Sequence, residues 1–189
     1  SNPKRKLKGT LEIVTTKYGT LAGVNTARAN NLVRTALETK LITELSAYDV
    51  LKSEILYGKE KSRIDFLLQD TSGEFPDCYL EVKNVTLDEG NGLAMFPDSV
   101  TARGTKHLRE LIFMAEEGFR SVLFFCVQLS DAKSFSIASN IDPVYAGTLN
   151  EALNKGIEII AWRTLMTSDS IALQMPINVT LDALDQKII

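Results

Sequence analysis

The sequence predicts an α/β protein in which helices flank a mixed β-sheet. Two observations support this prediction. Three strand-like runs follow one another in the first half of the chain, and a strand–helix–strand unit with fully apolar strands follows in the second half. Strands that follow one another directly in the chain pair antiparallel, whereas apolar strands separated by a helix are typical of a parallel pair covered on both faces. A sheet with both kinds of pairing is mixed.

The size and composition of the chain indicate a folded globular protein. Its 189 residues can bury a substantial core without a disulfide or a metal, and 44% hydrophobic with 24% charged residues is close to the globular average. This composition excludes a disordered, collagen-like or coiled-coil protein. Because 21 Lys and Arg residues oppose 24 Asp and Glu residues, the net charge is −3. Any surface that binds nucleic acid must therefore be a local one.

We expect a short N-terminal part, residues 1–24, and one domain over residues 25–189. Basic residues crowd positions 4–8 at the beginning of the first part. The apolar stretch 11–14 follows and predicts a short strand that ends at a turn at Tyr18–Gly19.

The first helix of the domain is predicted from a one-sided apolar pattern. Asn25 or Thr26 can cap its N-terminus. Its apolar residues recur at helical spacing and are Ala29, Leu32, Val33, Ala36 and Leu37. The polar residues on the opposite side are Asn30, Asn31, Arg34 and Glu38. We expect the polar side to face solvent.

The next elements form an antiparallel meander followed by a helix. The three strand-like runs span residues 50–57, 63–68 and 79–85, and a segment rich in Gly, Asp, Ser and Pro joins the last two. A glycine-containing loop then leads to a second helix over residues 101–117, and Gly118 marks its end.

A strand–helix–strand unit completes the predicted sheet. Its strands span residues 122–127 and 157–162, and its helix spans residues 144–155. Both strands are apolar on both faces, so we expect them to be parallel and covered on both sides. Helices therefore flank the predicted mixed sheet.

The cysteine and histidine content excludes a structural zinc site. Cys78 and Cys126 each lie inside an apolar strand, where a free thiol behaves as a small buried hydrophobe, and the chain has one histidine. The longest apolar stretch, residues 121–127, is too short for a membrane helix, and no charged-then-apolar leader opens the chain. We expect a cytoplasmic protein that does not contact a membrane.

Three charged residues lie inside apolar strands of the meander: Asp65, Glu81 and Lys83. Side chains alternate between the faces of a strand, so Glu81 and Lys83 project from one face. A turn centred near Gly73 would place Asp65 opposite Glu81, and directly opposed residues share a face. This register predicts two carboxylates beside one ammonium group.

Such a cluster suits metal-assisted hydrolysis of a phosphodiester. Two converging carboxylates supply the oxygen ligands that Mg²⁺ prefers, and a neighbouring lysine can orient or help deprotonate an attacking water. The alternative is a charged strand face that solvent covers, because a Glu-x-Lys triplet arises readily by chance and recurs at Glu38 and Lys40. Asp77 is a rival for the first carboxylate, but four residues of extended strand separate it from Glu81 by about 13 Å.

Several motifs together resemble one known family. They are Ser62–Phe66, Tyr79–Leu87, Phe96–Asp98 and Arg103–Leu111. The chain is similar to the sugar fermentation stimulation protein A family over about residues 25–162. The resemblance implies a restriction-endonuclease-like fold of the PD-(D/E)xK type and sequence-nonspecific DNA binding in the regulation of sugar use. Family members usually carry an N-terminal OB-like module, and the residues before Asn25 are too few to form one.

The resemblance also implies roles for individual residues. Asp65, Glu81 and Lys83 match the catalytic triad of the nuclease fold, with Asp65 and Glu81 as ligands of Mg²⁺ or Mn²⁺. Glu54 and Asn84 are candidates for an accessory role.

The second helix offers a polar stripe opposite its leucines. Arg103, Lys106, His107 and Glu110 recur at helical spacing. We predict that Arg103, Lys106 and His107, together with Arg63, contact DNA phosphates. For His107 the alternative to a phosphate is a hydrogen bond to a carboxylate, and a role as metal ligand is not expected. In the alternative interpretation the stripe is a solvent-exposed helix face on which Lys106 pairs with Glu110.

Two functions from different classes remain open on the sequence. The first is a Mg²⁺-dependent nuclease that hydrolyses phosphodiester bonds of DNA. The second is a sequence-nonspecific DNA-binding regulator of sugar-utilisation genes that keeps the fold without catalytic turnover. Both are compatible with an oligomer.

Overall fold

Three α-helices, a six-stranded sheet, a four-stranded sheet and a two-stranded hairpin form the described part of the protein. In the computed structural model, which describes residues 9–181, the elements in chain order are β1 (Ile13–Thr15), β2 (Leu21–Gly23), α1 (Arg28–Glu38), a 3₁₀ turn (Thr43–Leu45), β3 (Val50–Tyr57), β4 (Ser62–Gln69), β5 (Cys78–Val85), β6 (Leu87–Asp88), β7 (Leu93–Phe96), α2 (Ala102–Glu116), β8 (Arg120–Val127), β9 (Ser134–Ile137), α3 (Pro143–Asn154), β10 (Glu158–Met166), β11 (Ile171–Pro176) and β12 (Asn178–Thr180). The basic segment at positions 4–8 lies outside the described residues.

The central sheet is mixed, as predicted. Its six strands lie in the order β11-β10-β8-β5-β4-β3. The meander β3-β4-β5 is antiparallel, whereas β5, β8 and β10 run parallel to one another and β11 closes the far edge antiparallel. The predicted strand–helix–strand unit is confirmed, because β8 and β10 are parallel neighbours and α3 lies between them in sequence.

The helices cover both faces of this sheet. Helix α1 packs its apolar stripe on one face, where it meets side chains such as Phe66, Leu80 and Phe124. Helices α2 and α3 pack on the other face with residues such as Leu111, Leu149 and Phe125. Because β5 and β8 are covered on both sides, β8 from Ser121 onward is buried throughout. The fully apolar sequence of this strand follows from that position.

A second sheet of four short strands, in the order β12-β9-β7-β6, packs beside α2 and α3. The sequence predicts a loop where β6 and β7 lie, and this prediction is wrong. Each of these strands has only two to four residues, which is too few for an alternating pattern to be recognised. At the N-terminus, β1 and β2 form a hairpin around the predicted turn at Gly19.

The ends of the helices confirm some predicted signals and contradict others. No side chain caps α1; Asn25 instead donates a hydrogen bond to Glu12. The predicted cap at Asn25 or Thr26 is therefore wrong. At α2, the hydroxyl of Thr101 accepts a hydrogen bond from the backbone of Gly104, and Gly118 follows the helix with φ +91°.

Half way along β3 and β4, the side chains that point to one face of the sheet change to the other face. Ile64 and Phe66 are two residues apart, yet Ile64 packs in the core beneath α2 and Phe66 in the core beneath α1. The paired strand behaves in the same way, with Leu51 on the α1 side and Ile55 on the α2 side. The exchange occurs at Glu54 and Asp65, where Glu54 has φ +56° and the regular pairing is interrupted.

Both cysteines are buried and free, as predicted. Burial raises the pKa of each thiol to about 12, so neither is a reactive nucleophile. Between residues 9 and 181, no helix has the length and apolar character needed to cross a membrane.

Candidate active site

The register of β4 and β5 is the one that the sequence predicts. Phe66 pairs with Leu80, and Leu68 pairs with Cys78, and this is the register in which Asp65 would stand opposite Glu81. The regular ladder stops one residue before these carboxylates. At that point a side-chain hydrogen bond links the two strands instead: Asp65 Oδ2 accepts from the backbone N–H of Val82 at 2.8 Å.

Asp65 is partly buried and is held from two elements. Besides the contact with β5, its Oδ1 accepts a hydrogen bond of 2.7 Å from the side-chain amide of Asn30 on α1. Burial and the nearby negative charge of Glu81 raise the pKa of Asp65 to about 6, although its hydrogen bonds and Lys83 oppose the change. The negative charge of the ionised pair is therefore incompletely compensated.

Glu81 lies deeper, with only 2% of its surface exposed. Its Oε1 accepts a hydrogen bond from Lys83 Nζ at 2.8 Å and is in close contact with His107 Nδ1. Burial acts to raise the pKa of Glu81, but the hydrogen bond from His107 and the charge of Lys83 outweigh burial and hold the pKa below its ordinary value. Glu81 is thus an ionised carboxylate inside the protein.

The second oxygen of Glu81 is in a different situation. Glu81 Oε2 is buried and has no hydrogen-bond partner among the described residues. A buried carboxylate oxygen without a donor costs free energy, and such an atom in a native protein calls for a water or an ion. Both donors on Glu81 approach Oε1, so the carboxylate presents Oε2 as an open ligand position.

These residues fit a hard divalent cation. Asp65 and Glu81 offer oxygen ligands with an excess of negative charge, and the unpartnered oxygen belongs to one of them. Over residues 9–181, no set of three or more His, Cys, Asp and Glu side chains is arranged to hold a metal ion. Mg²⁺ is commonly bound through one or two carboxylates while waters complete its shell, so a two-carboxylate site is consistent with it.

The predicted polar stripe of α2 divides into two parts. Arg103 is exposed and Lys106 is partly exposed, whereas His107 and Glu110 are buried. Glu110 accepts hydrogen bonds of 2.7 Å from the backbone N–H groups of Lys59 and Glu60 and so holds the turn between β3 and β4. The pairing of Lys106 with Glu110 in the alternative interpretation is wrong, since the Lys106 ammonium donates to the backbone carbonyl of Glu60.

The remaining predicted site residues, Arg63, Glu54 and Asn84, lie outside the carboxylate cluster. Arg63 is exposed and donates to the backbone carbonyl of Glu54, whose side chain is exposed on the edge strand. Asn84, one residue beyond Lys83, accepts a hydrogen bond from the buried Gln128. The structure thus brings Asp65, Glu81, Lys83 and His107 together and leaves these three residues outside that group.

Sequence reasoning missed one residue of the site. Asn30 was assigned to the solvent face of the first helix, and it instead points its amide at Asp65. Arg34, one turn further along the same side, donates to Ser53 and lies over the ring of Phe66. Two polar residues one turn apart on a helix that packs against the meander are the only signal that could have indicated this contact.

Comparisons with known proteins agree with this architecture. A family model described as "Sugar fermentation stimulation protein RE domain" matches residues 27–170. The sugar fermentation stimulation protein homolog of Saccharophagus degradans is 52% identical over 162 residues, which cover 86% of this chain and 68% of the relative. The homolog of Pseudomonas fluorescens is 49% identical over 185 residues, or 96% of this chain and 76% of the relative.

A solved structure shares the fold. The structure of Pyrococcus furiosus SfsA in complex with Ca²⁺ matches with a TM-score of 0.80 and 28% sequence identity, over 93% of this chain and 75% of that chain. The match confirms the predicted nuclease-like α/β fold, with a mixed sheet flanked by helices.

Proposed function

The chain belongs to the sugar fermentation stimulation protein family, and we propose that it binds DNA and hydrolyses its phosphodiester bonds with the help of a divalent cation. The observation that supports this proposal most directly is Glu81 Oε2, a buried carboxylate oxygen without a partner beside a second carboxylate. Most buried polar atoms in native proteins have a hydrogen-bond partner, so an unpaired carboxylate oxygen beside a second carboxylate supports a bound cation.

Asp65 and Glu81 would hold the cation, and Mg²⁺ or Mn²⁺ is the expected ion. The related protein of Pyrococcus furiosus was solved in complex with Ca²⁺, which supports cation binding within the family. When bound, the cation supplies positive charge against the negative charge that develops on the phosphodiester oxygens during hydrolysis.

Lys83 would orient the attacking water. Its ammonium donates to Glu81 Oε1, and its side chain retains 11% exposure, so it reaches the surface at the carboxylate pair. An ammonium group has three donors, of which Glu81 takes one. The other two are available to orient a water molecule or a phosphate oxygen next to the cation.

DNA would be held by local basic residues, because the chain as a whole is acidic. Arg103 and Lys106 project from α2, the helix that also contributes His107 to the site, and Arg63 lies on β4 two residues before Asp65. Contacts with phosphates release counterions, so the affinity should fall steeply with salt and depend little on sequence.

A cleavage assay on wild type and Lys83→Ala tests the proposal. Supercoiled plasmid and single-stranded DNA are incubated with Mg²⁺, Mn²⁺ or EDTA, and DNA binding is measured in parallel at several salt concentrations. Loss of a group that assists proton transfer should lower cleavage about 10²-fold or more and leave DNA binding nearly intact. Lys155→Ala is the matched control, because Lys155 forms only an exposed ion pair with Glu116.

A cleavage rate in Lys83→Ala equal to that of wild type would exclude the triad as the source of the activity. A DNA-binding regulator without turnover is the second candidate, and it is favoured by the small number of acidic ligands that converge in residues 9–181. That function predicts salt-dependent DNA binding by wild type and no metal-dependent cleavage of either substrate.

A further inference from the structure

We propose that His107 is a positioning residue that donates its Nδ1–H to Glu81 Oε1 and so keeps Glu81 Oε2 turned towards the cation site. This inference rests on the proposed cation binding by Asp65 and Glu81. It assigns to the only histidine of the chain a role inside the protein instead of a contact with DNA.

The burial of His107 supports this role. The residue has 8% of its surface exposed, and its ring lies between α2 and β5, where Nδ1 is in close contact with Glu81 Oε1. A side chain so enclosed has little surface left for a phosphate. Its position is also fixed, because α2 has contacts on both sides of it. A Cβ atom at Gly104 would lie 2.8 Å from Thr101 Cγ2 and 3.2 Å from Tyr145 Cε2 of α3, and Glu110 holds the β3–β4 turn.

The contacts of the ring determine which nitrogen carries the proton. Arg103 Nε lies 3.4 Å from His107 Nε2, and a guanidinium group can only donate, so Nε2 is the acceptor. Nδ1 must then carry hydrogen, as its close contact with an ionised carboxylate oxygen also requires. The distance of 3.4 Å between Lys83 Nζ and Nδ1 follows from two donors meeting at one oxygen.

The consequence for Glu81 is a fixed orientation of its carboxylate. Rotation of the group by half a turn would only exchange two equivalent oxygens, whereas rotation to intermediate angles would weaken the hydrogen bonds from both Lys83 and His107. Two donors on Oε1 therefore hold the other oxygen in one place before a cation arrives. Residues that orient metal ligands in this way typically contribute 10-fold to 100-fold to metal affinity.

Two substitutions of His107 separate positioning from packing. His107→Phe keeps an aromatic ring of similar volume and removes the donor, and His107→Asn places an amide nitrogen at the position of Nδ1. Calorimetric titration with Mn²⁺ should show affinity about 10-fold to 100-fold lower for His107→Phe and largely restored for His107→Asn. The thermal unfolding of each variant without cation provides the check that it is folded.

The tautomer can be observed in the wild-type protein without any substitution. Because the chain has one histidine, a long-range ¹H–¹⁵N spectrum of tag-free protein contains one imidazole pattern. We expect a protonated Nδ1 and an unprotonated Nε2. A proton on Nε2 with none on Nδ1 would overturn the proposal, and it would do so even if His107→Phe failed to fold.

The outcomes distinguish this inference from the proposed function. If wild type binds Mn²⁺ and Asp65→Ala does not, the cation site is supported. His107→Phe with the affinity of wild type would then overturn the positioning role alone. If wild type binds no Mn²⁺, the proposed cation chemistry fails, whereas the tautomer measurement still decides whether His107 donates to Glu81.

Discussion

Substitution of Asp65 by asparagine should stabilise the cation-free protein. Burial and the charge of Glu81 raise the pKa of Asp65 from 3.8 to about 6. Since one pKa unit corresponds to about 1.4 kcal/mol, the ionised carboxylate makes folding less favourable by up to about 3 kcal/mol at pH 8. Asparagine removes this charge. It can keep both hydrogen bonds, since its Oδ1 accepts from Val82 N–H and its amide nitrogen donates to Asn30 once the Asn30 amide has turned over.

The pH dependence of this effect has a definite sign. The folded protein binds the proton of Asp65 more tightly than the unfolded chain, so the stability contributed by protonation is fully present below pH 3.8 and is lost as the pH rises through about 6. The advantage of Asp65→Asn over wild type should therefore be greatest at pH 8, decrease below about pH 6 and vanish near pH 4.

Urea unfolding in EDTA measures this difference. The single tryptophan, Trp162, is buried on β10 and reports unfolding by its fluorescence. Addition of Mg²⁺ should make wild type more stable than Asp65→Asn, because a ligand that binds only the folded state stabilises it. The stability of Asp65→Asn should not change with Mg²⁺. The control is Asp131→Asn, a change at an exposed aspartate. An Asp65→Asn variant that is less stable than wild type by the same amount at pH 8 and pH 5 would refute the reasoning.

Two further predictions concern the meander around the site. Glu110→Ala should lower the free energy of unfolding by about 2–4 kcal/mol in urea, because it leaves two backbone N–H groups without their acceptor. Glu110→Gln keeps one acceptor oxygen but turns its NH₂ group towards the second N–H group, so it should also destabilise the protein. Glu110→Ala with the stability of wild type would contradict a hydrogen-bonding role. Glu54→Val should destabilise the protein by about 1–2 kcal/mol, because a β-branched residue tolerates φ +56° poorly. Glu54→Gly should be near neutral, because glycine adopts positive φ readily. A Glu54→Val variant as stable as wild type would show that this backbone conformation is not required.

The sequence predicts the central meander and its register because both depend on local signals. β3 begins and ends where the apolar pattern places it, and the observed pairing of Phe66 with Leu80 agrees with a turn centred near Gly73. Alternation of side chains then places Glu81 and Lys83 on one face of β5, as observed. These features need only the period of a strand and the position of a turn.

The partners of the carboxylates could not be predicted in the same way. A helical pattern shows that Asn30 and His107 lie on the polar sides of their helices, but it does not show what those sides meet. In the structure these two side chains face the sheet, Asn30 towards Asp65 and His107 towards Glu81. Polar residues that serve a buried site and polar residues that face solvent have the same periodicity, so the pattern cannot separate them.

The exchange of faces in β3-β4 explains why two helices on opposite sides of the sheet can serve one site. In a regular strand Asp65 would share a face with Leu67, beneath α2, and Asn30 on α1 would be on the far side of the sheet. Because the faces exchange at this residue, its carboxylate emerges at the boundary, where it reaches both Asn30 and the backbone of Val82. The left-handed conformation of Glu54 costs about 1–2 kcal/mol. In return, Asp65 is held by Asn30 of α1 while Glu81 is held by His107 of α2.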